Sequence, residues 1–288
     1  MSTWQRAWEG VLGLLAVLGL ALVLVTTRSE LVLDILAQTG QLGLIVMGFG
    51  LSLRTGTPNL AVGAVASVSG AFVAFTTTAA GVPLPLAMLL ALVLAGLAGV
   101  VMSVFTMVLS APAWAVSLGA AVVCEAVAAA LLDGRTIPLE TAGLYPGPLG
   151  FAVFAVISIA GGLLWTRQEV RADLGGGWPG AVLGLAGSSV LAAAGGIALL
   201  MRLGAATPGS QGLYTTVFAL AAVLLGGTSP YGERAGVAGT VLGVLILALA
   251  QGLLAYFGAP MWVFVLVMGA VVLIGLGASR LLDALRTA

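Results

Sequence analysis

The stretch LPLAMLLALVLAGLAGVVMSVFTMVLS, residues 84–110, decides the fold class. It runs without a single charged side chain. As an α-helix it extends about 40 Å, enough to cross a hydrocarbon core about 30 Å thick. Working outward, nine more apolar segments follow the same pattern: 11–27, 32–53, 59–80, 113–132, 148–165, 180–201, 213–227, 236–256 and 261–279. Backbone N–H and C=O groups find no water in lipid, so each segment must satisfy them internally, and long consecutive runs do so as helices. The expectation is an all-α, polytopic transmembrane helix bundle of about ten spans, forming one domain over 1–288.

Composition leads the same way. Of 288 residues, 61% are hydrophobic and 7% charged, against about a quarter charged in soluble domains. Mean hydropathy is +1.21. A water-soluble chain of this size needs a polar exterior, and there is none to be found here. The six tryptophans (4, 8, 114, 165, 178, 262) and four tyrosines (145, 214, 231, 256) fall at or just outside segment ends, where aromatic belts form at the two interfaces. The run 11–25 is followed by Thr26-Thr27-Arg28-Ser29-Glu30 rather than a small-residue cleavage site, so it reads as an uncleaved first span. The expected location is the cell membrane.

Several functions are excluded by what is missing. There is no lysine and no histidine, and Cys124 is the single cysteine. A phosphate-binding P-loop needs its lysine, and Schiff-base, Ser-His and His-metal chemistry need residues the chain lacks. No enzyme activity, cofactor or metal is expected. With net charge zero and the arginines scattered, no nucleic-acid partner is expected either. Placing the N-terminus inside puts Arg6, Arg54, Arg167, Arg171, Arg234, Arg280 and Arg286 in the cytoplasm, and Arg28, Arg135 and Arg202 outside. That imbalance gives both termini as cytoplasmic. Segment 213–227 is short for a full span, and a broken or re-entrant form would reverse the later parity.

Glycine numbers 42, about twice the usual share of roughly 7%. Small-xxx-small pairs such as Gly239 with Gly243, and Gly63 with Ser67, predict close helix packing. Thr55-Gly56-Thr57-Pro58 and Gly227-Thr228-Ser229-Pro230 hint at an internal repeat.

Candidate functional residues lie where polarity interrupts the apolar runs. Glu125 sits mid-segment, where a carboxylate costs about 2.5–3.5 kcal/mol and so seeks a partner or a wet cavity. Proton carriage, pathway lining and helix pairing all remain open for it. In the break Arg54-Thr55-Gly56-Thr57-Pro58-Asn59, Thr57 suits an N-cap and Pro58 a first helical position. A helix beginning there either presents free N–H groups to a solute or is simply capped in a tight turn. Asn59 both donates and accepts, as sugar hydroxyls require. Gln38, Gln41 and Gln251 are intramembrane amides suited equally to solute contact and to pairing helices. The connection 166–179 alternates Arg167, Glu169, Arg171 and Asp173, either a solvated turn or a docking surface.

At these residues the chain resembles the permease subunits of ABC importers for ribose and related solutes, a family with sugar, nucleoside and branched-chain amino-acid members. The match is strongest over Val223-Leu-Leu-Gly-Gly-Thr-Ser-Pro-Tyr-Gly232 and Gly236-Val-Ala-Gly-Thr-Val-Leu-Gly-Val-Leu-Ile-Leu247, and continues through Gly252, Gly258 and the run 269–274. Asn59-Leu60-Ala61-Val62-Gly63 is similar to the family's Asp-Leu-Ser-Val-Gly, and Ser117-Leu118-Gly119 to its Thr-Leu-Gly. The resemblance implies one half of a pore that imports a small polar solute, sugar or nucleoside-like, by alternating access. It implies as partners a cytoplasmic ATPase subunit, a second permease (identical or paralogous) and an extracytoplasmic solute-binding protein. Thr57, Asn59, Gln41, Glu125 and Gln251 become candidates for the solute pathway. Arg167, Glu169, Arg171 and Asp173 become candidates for ATPase coupling. Three features depart from the family: a short coupling connection without its Gly-Asn element, Asn59 in place of the aspartate of sugar members, and Glu125 where many members carry arginine. The alternative by length and composition is a ten-helix proton-coupled secondary transporter of the drug/metabolite type, with Glu125 as proton carrier. A structural membrane subunit is a third.

Overall fold

The computed structural model describes residues 3–26, 29–139, 147–207, 212–230 and 237–287. Twelve α-helices carry almost all of them: α1 (Thr3–Thr26), α2 (Ser29–Arg54), α3 (Val62–Ala79), α4 (Leu84–Val108), α5 (Ala113–Leu132), α6 (Gly147–Trp165), α7 (Gln168–Leu174), α8 (Gly177–Val182), α9 (Ser188–Leu203), α10 (Gly212–Leu225), α11 (Gly239–Tyr256) and α12 (Met261–Thr287). The π-helical turn Leu183–Gly187 joins α8 to α9, so that Gly177–Leu203 reads as one span with a bulge in it.

Each of the ten apolar segments contains a helix. Among the described residues eight helices, rather than ten, are long and apolar enough to cross a membrane; Gly212–Leu225 is a shorter apolar helix, as is the stretch Met261–Gly277 of α12. The difference is physical at α10, whose 14 residues reach only about 21 Å. It begins inside the bundle, where Gly212 is buried against Ala64 and Glu125.

The bundle has a centre and a rim. Half or more of the residues in the span windows of α2, α3, α8–α9 and α11 are buried (50–56%), against 17–28% for α1, α4, α5 and α6. The rim helices turn Leu14, Leu97, Val122 and Val156 outward, a surface that suits hydrocarbon and would aggregate in water. At the centre α9 packs on α2 and α3. A Cβ on Gly196 would overlap the Ala66 carbonyl, and one on Gly239 would overlap that of Gly226. Backbone approach this close is how helices associate where apolar burial gains little.

The arginines fall into two groups. Arg54 and α7 share one end of the bundle, where Gly56 lies against the Gly175 carbonyl. Arg202 sits at the other, pairing with Asp34 at 2.6 Å. There β1 (Ile137–Pro138) pairs antiparallel with β2 (Ala205–Ala206), Ile137 opposite Ala206, an element too short to leave a periodic signal. Arg28, Arg234, Glu140, Tyr145, Tyr231 and Gly236 lie outside the described residues.

Two belt assignments are corrected. Trp165 is buried, and Tyr214 turns inward, its ring tilted against Phe264 with centroids 6.3 Å apart. Trp114, Trp178, Trp262 and Tyr256 are exposed near helix ends, as an interface belt requires.

Candidate functional site

The break between α2 and α3 is the most heavily hydrogen-bonded connection near the bundle centre. Its first half ends α2. Gly56 adopts φ +72°, donating to the Leu53 carbonyl at 3.0 Å while Thr57 N donates to that of Ser52 at 2.9 Å. This 5→2, 6→1 pair is a Schellman stop. Thr57 is therefore the tail of α2 and not the N-cap of α3, and Pro58 precedes α3 rather than opening it. α3 starts at Val62 with no side-chain cap at Ala61.

The donors that lead into α3 are spent. Ala61 N donates to Asn59 Oδ1 at 3.0 Å, Leu60 N to Ser117 Oγ at 2.9 Å and Gly63 N to Thr216 Oγ1 at 3.2 Å. The reading in which this helix start offers free N–H groups to a solute does not hold for these three. Asn59 itself is fully buried. Its amide donates to Ser188 Oγ at 2.7 Å and Ser189 Oγ at 3.3 Å, and its backbone N–H to Ser52 Oγ at 3.0 Å. Because Ala61 N can only donate, Oδ1 must face it and Nδ2 must face the serines. Hydroxyls from α2, α5, α9 and α10 thus converge on one short connection. Sequence reading missed Ser52, Ser117, Ser188, Ser189 and Thr216, since a lone hydroxyl in an apolar helix most often bonds back to its own backbone.

Toward the opposite end lies a cleft of about 130 Å³ between α2, α3, α9 and the first turn of α10. Among the described residues its polar lining is Gln41, Ser67, Thr207 and Thr215, with no charged side chain; Gly63, Gly70 and Gly196 let the walls approach. Gln41 is 3% exposed, and its Oε1 has no hydrogen-bond partner among the described residues. A buried acceptor left unpaired costs about 1–3 kcal/mol, so this oxygen is poised for a ligand hydroxyl or a water.

The remaining candidates are dispersed. Thr57 pairs with Thr55, Oγ1 to Oγ1 at 2.9 Å, beside Gly184 of the π turn. Gln251 accepts from Gln38 at 2.7 Å between α11 and α2, away from the cleft lining. Glu125 also lies off that lining: its carboxylate rests against Gly212, the first residue of α10. A helix N-terminus favours negative charge, which accounts for an acid at this depth. Arg167, Glu169, Arg171 and Asp173 are all exposed on or beside α7. Arg167 and Arg171 share one side of that helix, and Glu169 and Asp173 the other.

The family described as "Branched-chain amino acid transport system / permease component" matches residues 31–171, from α2 into α7. The galactofuranose transporter permease protein YtfT of Escherichia coli (strain K12) is 27% identical over 242 residues, covering 75% of this chain and 69% of that protein. Over residues 31–171, just under half of its length, the chain is similar to permeases of this family. No solved structure matches. The chain is thus a multi-pass membrane protein, and its exposed rim is its lipid face. Both the α2–α3 break and Gln41 fall inside the matched stretch.

Proposed function

We propose that the permease is the membrane-spanning subunit of an ATP-driven importer for a small neutral polar solute, most suitably a sugar, and that the Gln41 cleft lies on its pathway. One observation carries this reading: among the described residues the cleft is lined by an amide and hydroxyls and by no charge. An amino acid would bring a carboxylate and an ammonium, each needing charged or oriented partners once desolvated. A sugar brings hydroxyls that both donate and accept, which suits Gln41, Ser67, Thr207 and Thr215. The similarity to a galactofuranose permease favours the same class.

The permease does no covalent chemistry in this scheme. A separate cytoplasmic ATPase shifts its inward/outward equilibrium through differential binding. A second permease, identical or paralogous, completes the pore, and an extracytoplasmic binding protein loads it. We place the end bearing Arg54 and α7 in the cytoplasm, with both chain termini, and the ATPase on the charged sides of α7.

The test is uptake of radiolabelled furanose and pyranose sugars, and of leucine, in cells with and without the ATPase partner. Sugar uptake that vanishes with the ATPase supports the reading. Gln41→Leu should raise the half-saturation concentration about five- to tenfold, the worth of one neutral hydrogen bond of about 1–1.5 kcal/mol. Uptake that survives loss of the ATPase and collapses with the proton gradient would overturn it.

A further inference from the structure

The hydrogen bonds of Asn59 continue beyond the two serines. Ser188 Oγ donates to the Leu185 carbonyl at 3.1 Å and Ser189 Oγ to the same oxygen at 2.7 Å. Leu185 belongs to the π turn Leu183–Gly187. The relay is therefore directional: Asn59 gives both amide hydrogens to hydroxyls whose own hydrogens are committed to the bulged turn. An aspartate at position 59 could not keep this arrangement. It has no amide hydrogens to give, and the serines would have to release Leu185 to donate to it.

The same turn touches the break a second time. A Cβ on Gly184 would overlap the hydroxyls of both Thr55 and Thr57, and one on Gly180 would come to 3.6 Å from the Thr55 carbonyl oxygen. Only α8 and its preceding glycines separate this contact from α7, and a Cβ on Gly180 would come to 2.8 Å from the Leu174 carbonyl oxygen at the end of α7. In the other direction, α9 leaves the turn at Ser188 and supplies Gly196, Leu199, Leu200 and Leu203 to one wall of the cleft. The facing wall, α3, supplies Gly63, Ala66 and Gly70, and starts from the Asn59 connection. The two cleft walls are thus hydrogen-bonded through Asn59 where they start, beside a π-bulge, a feature often found at functional positions in helices, and pack backbone to backbone further on at Ala66 and Gly196.

We propose that Ser188 and Ser189 are positioning residues for transport: with Asn59 they pin α9 to α3 at the π turn, so that a displacement of α7 swings α9 and changes the width of the Gln41 cleft. The inference rests on the ATP-driven reading above. It assigns the serines no contact with the solute. Their effect runs through the placement of a helix, so solute affinity and coupling separate: loss of the serines leaves ATP hydrolysis running and disconnects it from the cleft.

The experiment follows the α3–α9 separation directly and needs no identified solute. Spin labels are placed at Ala80→Cys and Leu203→Cys, at the far ends of the two helices, in a Cys124→Ala background. The permease is reconstituted with its ATPase, and the distance is measured by pulsed EPR with and without ATP and vanadate. The parent should show a nucleotide-dependent change. Ser188→Ala/Ser189→Ala should abolish that change while ATP hydrolysis continues. Asn59→Asp, nearly identical in shape, should reproduce the loss and serves if the double alanine variant does not fold. A nucleotide-dependent change that persists in either folded variant overturns the inference. So does a parent that hydrolyses ATP with its α3–α9 distance fixed, a result that leaves the importer reading standing. Uptake that needs no ATPase strikes the importer reading instead.

Discussion

The indole N–H of Trp8 donates to the carbonyl oxygen of Leu225 at 2.8 Å, joining the start of the chain to the end of α10. Leu225 closes a second break, and the two breaks share one geometry. Gly226 N bonds the Ala222 carbonyl at 2.9 Å, Gly227 N that of Leu224 at 2.9 Å and Thr228 N that of Val223 at 3.2 Å. Thr55, Gly56 and Thr57 make the same three steps, and Gly227 has φ +78° beside +72° at Gly56. The first break is held by internal hydroxyls. The second is held by α1, since Glu9 Oε1 also accepts from Ala238 N at 3.3 Å.

Trp8→Phe removes the indole donor while keeping an aromatic ring. It should lower stability by about 0.5–1.5 kcal/mol, the net worth of one hydrogen bond. Trp262→Phe, at an exposed position, should be close to neutral. Thermal unfolding of the purified permease in detergent measures both. Equal midpoints for the two variants would remove the structural role given to the Trp8–Leu225 bond.

Glu125 offers a sharper division between transport modes. Its carboxylate meets the start of α10 at Gly212 and does not line the cleft. Glu125→Gln should therefore cost some stability, about 0.3–1 kcal/mol for a weaker acceptor at a helix N-terminus. Uptake should continue and remain insensitive to the proton gradient. A folded Glu125→Gln variant with no uptake would return Glu125 to the role of proton carrier.

Much of this architecture is legible in the chain because lipid leaves the backbone so few choices. Residues 84–110 could be read as a helix from length and apolarity alone, and α4 spans Leu84–Val108. The π turn escaped because Leu183–Gly187 continues an apolar, glycine-rich run with nothing to mark one extra residue per turn. The start of α3 escaped for another reason. Thr57-Pro58 has the form of a helix N-terminus, but the Gly56 Schellman stop claims Thr57 first. Asn59 drew notice as a polar residue in an apolar setting. That its hydrogens go to serines about 130 positions away is a tertiary fact with no local signature.

Gln38 and Gln251 test whether a buried amide pair holds helices or meets solute. Gln38 Nε2 donates to Gln251 Oε1 at 2.7 Å across the α2–α11 contact. Hydrogen bonds between membrane helices couple by about 0.6 kcal/mol on average and about 1.7 at most. Gln251→Leu alone leaves the Gln38 amide without its partner. Gln38→Leu/Gln251→Leu removes both, so the double variant should be less destabilised than the sum of the singles by roughly that coupling. Sugar uptake should be nearly normal in the double variant, because neither side chain lines the cleft. A folded double variant whose half-saturation concentration rises as much as that of Gln41→Leu would put Gln251 on the solute route and move the pathway toward α11.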